Sequence, residues 1–290
     1  MTESKTALQK WSRLLFYFWC YTLLVILWGA WVRISHSGNG CGNHWPLCEG
    51  TFIPTGAGHK TWIEYAHRLM SGSYGFLVVF IFWKLKDFKL GPFFKSLNVA
   101  LLVLMITEGA IGALLVKGQL VTENDSLARL VVMSFHQLNS FLLTGVTYLL
   151  YVMTAHPEGK LNSEKKYTLI LFLLLPITGA IAALSTTLFP AVSVWQGIVE
   201  DFTHNQHLFI RLRILHPILG IVIALGFAYW LHHKKHTRLG LEFLAAVAIG
   251  IFTLLTLSPV YLKLIHLLIA HFLWSRVLQL FVSFPDSSKR

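Results

Sequence analysis

Eight stretches of this chain are almost free of charge, and each is near the roughly 20 residues that a helix needs to cross a bilayer. They fall at 14–34, 63–83, 95–116, 129–153, 167–189, 208–231, 239–259 and 261–283. Hydrocarbon offers backbone amides no partner, so segments of this length and polarity are expected to be helical. The fold class that follows is an all-α polytopic membrane protein with eight transmembrane helices. Composition agrees: charged residues make up only 13% of the 290, against roughly 25% in a soluble domain. Disorder, a disulfide-dense mini-protein and a nucleotide-binding α/β domain are thereby excluded. The net charge of +11 does not point to nucleic acid, because the Lys and Arg residues are scattered between apolar runs and form no patch.

Those cations instead set an orientation. Leu14 to Val32 carries no charge and outruns the apolar core of about 7–15 residues of a secretory signal, so it reads as an uncleaved helix. With the N-terminus inside, sixteen of the 24 Lys and Arg residues lie on the inner side. The outer eight are Arg33, Lys60, Arg68, Lys117, Arg129, Arg211, Arg213 and Lys263. The positive-inside bias therefore puts both termini in the cytoplasm and the loops 35–62 and 190–207 outside, in an inner (plasma) membrane.

A repeat emerges once the helices are placed. Gly29-Ala30 precedes His67 by 38 residues, and Gly179-Ala180 precedes His216 by 37. Each half carries a second histidine, His136 and His266. The chain thus divides into two pseudo-repeated four-helix bundles, 1–160 and 161–290, a kind of internal repeat common in membrane folds. His271 stands about 140° around the last helix from His266 and is not expected to share its face. The other nine histidines fall in loops or at helix ends.

His67, His136, His216 and His266 lie near the starts of the even-numbered helices, at similar depth below the outer surface. A single intramembrane histidine is as readily an interhelical hydrogen bond as a functional group. Four in matching register favour function, because facing imidazoles in a bundle supply both axial ligands of a porphyrin iron. Structural zinc wants four ligands and fits poorly. Arg68 and Arg213 are placed to meet porphyrin propionates, or simply to anchor to headgroups. Glu64, three residues before His67, shares its face. It is either an ordinary acid at a helix N-terminus or a carboxylate that stabilises positive charge or takes a proton at a porphyrin edge. Cys41 and Cys48 share the first outer loop, where oxidising conditions favour a disulfide, either as a structural tie or as a redox couple. Cys20, inside the first helix, reads as a small core residue.

The run Gly40-Cys41-Gly42-Asn43-His44-Trp45-Pro46-Leu47-Cys48-Glu49-Gly50, followed by Trp62-Ile63-Glu64-Tyr65-Ala66-His67-Arg68, closely resembles the heme A synthase family. The eight-helix, four-histidine layout extends the likeness over nearly the whole chain. The resemblance implies that farnesylated haem O binds in the N-terminal bundle as substrate and is oxidised at its ring-D methyl group to a formyl group, giving haem A. It implies a haem b in the C-terminal bundle. On this basis His67 and His136 bind the substrate haem, His216 and His266 ligate haem b, Glu64 is the essential carboxylate, and Cys41–Cys48 is the external disulfide. Two departures stand out. Pro217 follows His216 where the family usually repeats His-Arg, which leaves propionate binding there to Arg213. Glu108 stands where Gln is common, which leaves its charge state and role open, and a protonated acid paired across helices is its plain reading.

The expected activity is therefore that of an iron-haem oxidoreductase of haem A biosynthesis. A haem O synthase, an electron acceptor and membrane lipid are its expected partners, and homo-oligomerisation is left open. Two other classes compete. A membrane b-type dihaem cytochrome would only pass electrons, and a transporter would relay protons through its buried His and Glu. The orientation is directly testable. After reduction, a membrane-impermeant thiol reagent should label Cys41 and Cys48 from the non-cytoplasmic face. Labelling confined to inverted vesicles would reverse the topology.

Overall fold

The computed structural model describes residues 2–55, 58–157, 160–161 and 166–283. Lys165, Lys289 and Arg290, which enter the charge bias, lie outside the described residues. So does part of the junction expected between the two halves. Among the described residues are ten helices and one pair of two-residue strands. The helices are α1 Thr2–Ile34, α2 His59–Leu85, α3 Pro92–Lys117, α4 Leu127–Ala155, α5 Lys166–Leu188, α6 Val194–Asp201, α7 Leu208–Arg213, α8 Leu215–His233, α9 Thr237–Leu255 and α10 Val260–Leu280. Counting α7 and α8 as one span, eight segments are long and apolar enough to cross a membrane.

The departures from the expected boundaries have local causes. Helix α1 begins at Thr2 rather than at 14, because a helix need not stop where the hydrocarbon does. The sixth span is broken at Ile214, between α7 and α8. Pro217 lacks an N–H, and its ring crowds the carbonyl four residues back, that of Arg213, so the helix restarts there with proline in its first turn. The loop 190–207 contains α6, capped by Ser193, whose side chain accepts the Gln196 N–H. At the C-terminal end α10 stops at Leu280 instead of 283. The next residues, Val282–Ser283, pair antiparallel with Lys160–Leu161. Elsewhere the punctuation follows the sequence: Pro92 opens α3 at its first turn, and Ser126 caps α4 by accepting the Arg129 N–H.

Helix α4 is the hub of the bundle. Two thirds (67%) of its apolar window is buried inside the protein, whereas no other span exceeds 33%. It packs against α1, α3, α5 and α10, so it joins the first half of the chain to the second. Its seam with α10 rests on close approach and on polar stitching. Gly145 has no room for a side chain, since a Cβ there would lie 2.6 Å from both Trp274 Nε1 and Leu278 Cδ1. That proximity lets the Trp274 indole donate to the Phe141 carbonyl at 2.9 Å. Tyr148 donates to Gln279 Oε1 at 2.9 Å, and Trp19 of α1 donates to Ser275 Oγ at 3.2 Å. His271, 1% exposed, lies 2.9 Å from Thr144 Oγ1 through Nδ1 and packs on the Phe141 ring. It therefore faces α4, as its angular separation from His266 requires. Small residues at such crossings are the usual device for membrane helices, where lipid tails supply no hydrophobic drive between helices.

The seam makes Gly145→Ala costly. The indole is held by its hydrogen bond and cannot swing away, so overpacking should destabilise the protein by about 1–3 kcal/mol. Gly226→Ala is the control, since nothing lies within 4 Å of its added carbon. Unfolding of the purified protein in mixed detergent should show a loss for the first variant and none for the second.

Candidate functional site

The end of the bundle that carries the disulfide loop holds a connected set of buried polar groups. Cys41 and Cys48 are bonded to each other and are 0% and 1% exposed. The loop they close is pinned to the start of α2 at several points. Gly40 lies so close to the helix that a Cβ would fall 2.5 Å from the Lys60 carbonyl oxygen, and only glycine permits that contact. The Cys41 N–H donates to Glu64 Oε2 at 2.8 Å. Glu64 Oε1 accepts from Arg68 Nε at 3.1 Å and from Nη2 at 2.5 Å. Arg68 Nη1 donates in turn to the carbonyls of His44 and Leu47 inside the loop. Glu64 is thus 3% exposed, with both oxygens engaged, and the pair holds the disulfide loop over the segment that carries His67. Burying a carboxylate this way is tolerable only because partners surround it.

The four histidines come together in two pairs. His216 and His266 face each other with ring centroids 6.1 Å apart and planes at 79°. Two imidazoles sharing one metal by bonds of about 2.0–2.1 Å each would stand at a similar separation. Thr178 Oγ1 lies 3.3 Å from His216 Nδ1, the kind of outer partner that orients a ligating imidazole. His67 and His136 interact electrostatically across the N-terminal half. Their rings are not in direct contact among the described residues. The buried Nδ1 atoms of His67 and His266 have no hydrogen-bond partner among the described residues, although buried polar groups almost always find one. This is the feature that fits a ligand: nitrogens held in an apolar bundle with no protein group to satisfy them.

Three of the rings lean on bare backbone. A Cβ at Gly29 would lie 2.9 Å from His67 Cε1, one at Gly179 3.2 Å from His216 Cε1, and one at Gly250 2.9 Å from His266 Cε1. The Gly-Ala pairs picked out by spacing are therefore contact points of the imidazoles. Gly250 was not picked out, and its only signal in the sequence is a lone glycine inside an apolar run. The fourth ring meets an acid instead. His136 Nδ1 is 3.4 Å from Glu108 Oε1. Glu108 accepts from Asn139 Nδ2 and Ser140 Oγ, both at 2.6 Å, so it is paired across α3 and α4 as its plain reading requires.

Arg68 and Arg213 both reach the histidine-bearing end, but each engages its own loop. Arg213 donates through Nε to Asp201 Oδ1 at 2.5 Å and through Nη2 to the Gly197 carbonyl at 3.0 Å. Glu200 and the Phe189 carbonyl take its remaining contacts. Burial pushes the Asp201 carboxyl up from its ordinary range, and the Arg213 hydrogen bond works against that rise. Sequence reasoning missed Asp201 and Glu200 because they are distant in the chain, within a helix that was read as loop. Arg129, 2% exposed, was counted only as an outer charge. Its Nη1 donates to the carbonyls of Thr122 and Asn124 at 2.5 and 2.6 Å. Cys20 is an exposed free thiol on α1, in place of the core residue expected.

Known proteins are similar to this chain in sequence. A protein from Thermus thermophilus named protoheme IX farnesyltransferase is 34% identical over 286 residues, which cover 91% of this chain and 47% of the relative. Proteins named heme A synthase match over 92 residues: that of Alkalihalophilus pseudofirmus at 42% identity and that of Symbiobacterium thermophilum at 38%, each covering 31% of this chain. They cover 31% and 30% of those relatives. The chain thus spans about half the length of the relative that it matches most extensively, and under a third of the heme A synthases. The model of the cytochrome oxidase assembly protein family, COX15-CtaA, matches residues 12–278. A match across so much of the chain settles membership: this protein belongs to the cytochrome oxidase assembly protein family.

Proposed function

We propose that this protein is a heme A synthase, a membrane oxidoreductase that converts the ring-D methyl group of haem O to a formyl group. The observation that carries the reading is the set of imidazole nitrogens without protein partners, beneath a disulfide loop anchored by Glu64. Similarity to proteins named heme A synthase supports it. So does similarity to one half of a protein named protoheme IX farnesyltransferase: a farnesylated haem, the kind of molecule such a name describes as product, is the substrate required here. In this reading the two halves are repeats of one four-helix unit. The N-terminal half holds haem O between His67 and His136, and the C-terminal half holds haem b between His216 and His266. Haem b, when bound, supplies a one-electron relay toward an acceptor.

The work of the chain is to hold the methyl group in place and manage charge beside it. His67 and His136 fix the porphyrin plane, and the glycine at position 29 lets the His67 ring lie close to α1. Glu64 shares the face of His67 and is held by hydrogen bonds from Arg68 and the Cys41 N–H. It stabilises positive charge that develops at the methyl carbon, or accepts the proton released there. Two successive oxidations, each passing two electrons to the acceptor and, with water as the oxygen source, releasing two protons, would give an alcohol and then a gem-diol, which loses water to leave the formyl group. By the Lys and Arg bias, this chemistry would lie at the outer side of an inner membrane, with both termini in the cytoplasm. The 6.1 Å approach of His216 and His266 suits a pure electron carrier as well, so a dihaem cytochrome is the competing reading.

Product analysis separates the two. Supplied with haem O, membranes containing the wild-type chain should yield haem A, whereas a carrier returns haem O unchanged. Glu64→Gln keeps the hydrogen-bonding shape and removes the charge. It should retain haem and lose roughly 10²–10⁴-fold of the turnover expected of a positioned acid–base group, with haem O or the alcohol accumulating. A wild-type yield of haem A would remove Glu64 from the chemistry. Cys41→Ser tests the loop separately. Closing so short a loop contributes only about 2–3 kcal/mol, so the variant should remain folded with its haem spectrum intact while haem A production falls. Loss of folded protein from the membrane would make the disulfide a structural tie.

A further inference from the structure

Three other cations stand at the same end of the bundle, and they are not neutralised as Arg68 and Arg213 are. Arg33 lies in the last turn of α1, its side chain has no hydrogen bond or ion pair among the described residues, and its Nε is buried without a partner. Arg129 uses Nη1 on two loop carbonyls and leaves its own Nε buried and unpartnered. Lys263 makes a single long contact, to the Thr186 carbonyl at 3.4 Å. Arg33 interacts electrostatically with both Arg129 and Lys263, so the three form one group at the seam of the halves. The nearest acids do not close the balance. Glu123 and Asp125 act on Arg129, but their side chains are 75% and 60% exposed, and they pair with His36 and His207.

Their places along the helices are as telling as their lack of partners. Arg33 is four residues beyond Gly29, the contact point of His67. Lys263 is three residues before His266, and Arg129 is seven before His136. All three spacings put the cation on the histidine-bearing face, one or two turns nearer the loop end. A cluster of buried positive charge in an apolar bundle is unfavourable without counter-charge. Guanidinium groups are suited to carboxylates. Porphyrins of the haem type carry two propionate carboxylates on one edge.

We propose that Arg33, Arg129 and Lys263 form a carboxylate-binding cluster that receives haem propionates at the seam between the two halves. The proposal rests on the haem reading above. It assigns propionate binding to cations other than Arg68 and Arg213, whose donors are already engaged. A lipid phosphate shares the anionic chemistry, but Arg129 is 2% exposed and the spacings put the three cations on the histidine-bearing faces, which favours a carboxylate brought in by a porphyrin.

The test compares iron protoporphyrin IX with its dimethyl ester, in which both carboxylates are blocked, by absorbance titration of the full chain. The chain is produced in haem-starved cells and placed in phosphatidylcholine nanodiscs. The wild type should bind the free acid at least roughly tenfold tighter than the ester. Arg33→Gln and Lys263→Gln should each cut that preference to about threefold or less while leaving ester affinity unchanged, and Arg33→Lys should preserve most of it. Unchanged ester affinity also shows that a variant is folded. If Arg33→Gln fails that check, Lys263→Gln carries the comparison. Equal wild-type affinity for acid and ester overturns the cluster assignment alone. A preference that survives in the Arg33→Gln/Lys263→Gln double variant overturns it too. A preference abolished by replacing phosphatidylcholine with phosphatidylglycerol assigns the cluster to lipid phosphate and overturns it. Failure of the wild type to bind either porphyrin removes the haem reading itself.

Discussion

Hydrocarbon gives a buried polar side chain two ways to be satisfied, a partner within the protein or a ligand. That constraint organises this molecule. Backbone groups are consumed by eight spanning helices, and most intramembrane polar side chains find partners across a helix crossing. Thr144 meets His271, Asn139 and Ser140 meet Glu108, and Trp274 meets the Phe141 carbonyl. Among the groups left over are ring nitrogens of His67 and His266 and the Nε atoms of Arg33 and Arg129. Under the proposed function, such imidazoles and cations would meet the two chemical ends of a haem, its iron and its propionates.

The disulfide loop and the bundle meet through one buried ion pair. Glu64 and Arg68 belong to the same turn of α2, so their attraction needs no folding of distant chain. Their outward hydrogen bonds do reach distant chain, to Cys41, His44 and Leu47. A local helix contact thereby sets the position of a loop 20 or so residues away in sequence. The same economy appears in the second half, where Arg213 gathers Asp201, Glu200 and the Gly197 carbonyl. Arg68 and Arg213 thus each hold a loop at the histidine-bearing end through a carboxylate of their own, and the cations without a carboxylate are different ones.

Glycine serves opposite ends of the design. At Gly145 it lets α4 and α10 close on each other, and at Gly29, Gly179 and Gly250 it lets an imidazole lie against a helix. The first use makes a rigid seam, with α4 as the common wall of both halves. The second brings a ring edge against backbone, leaving no side chain between the imidazole and its neighbouring helix. Rigid walls beside partnerless imidazoles are what preorganised ligand sites require.

Much was legible in the sequence because the bilayer enforces it locally. Span number follows from uncharged length, and the histidine positions follow from register, since both depend on residues within a few turns of one another. The Gly-Ala spacing also carried real information, because a glycine beneath each ring is a contact requirement that leaves a trace in the chain. The break at Ile214 was written locally as well, in Pro217, but an apolar run conceals it. Tertiary structure alone decided which arginines are occupied. Arg68, Arg213, Arg33 and Arg129 look alike in sequence, each a cation beside an apolar span. Only folding brings Asp201 and Glu200 to Arg213 and leaves Arg33 without a carboxylate, because ion pairing depends on separations in space that residue spacing does not encode.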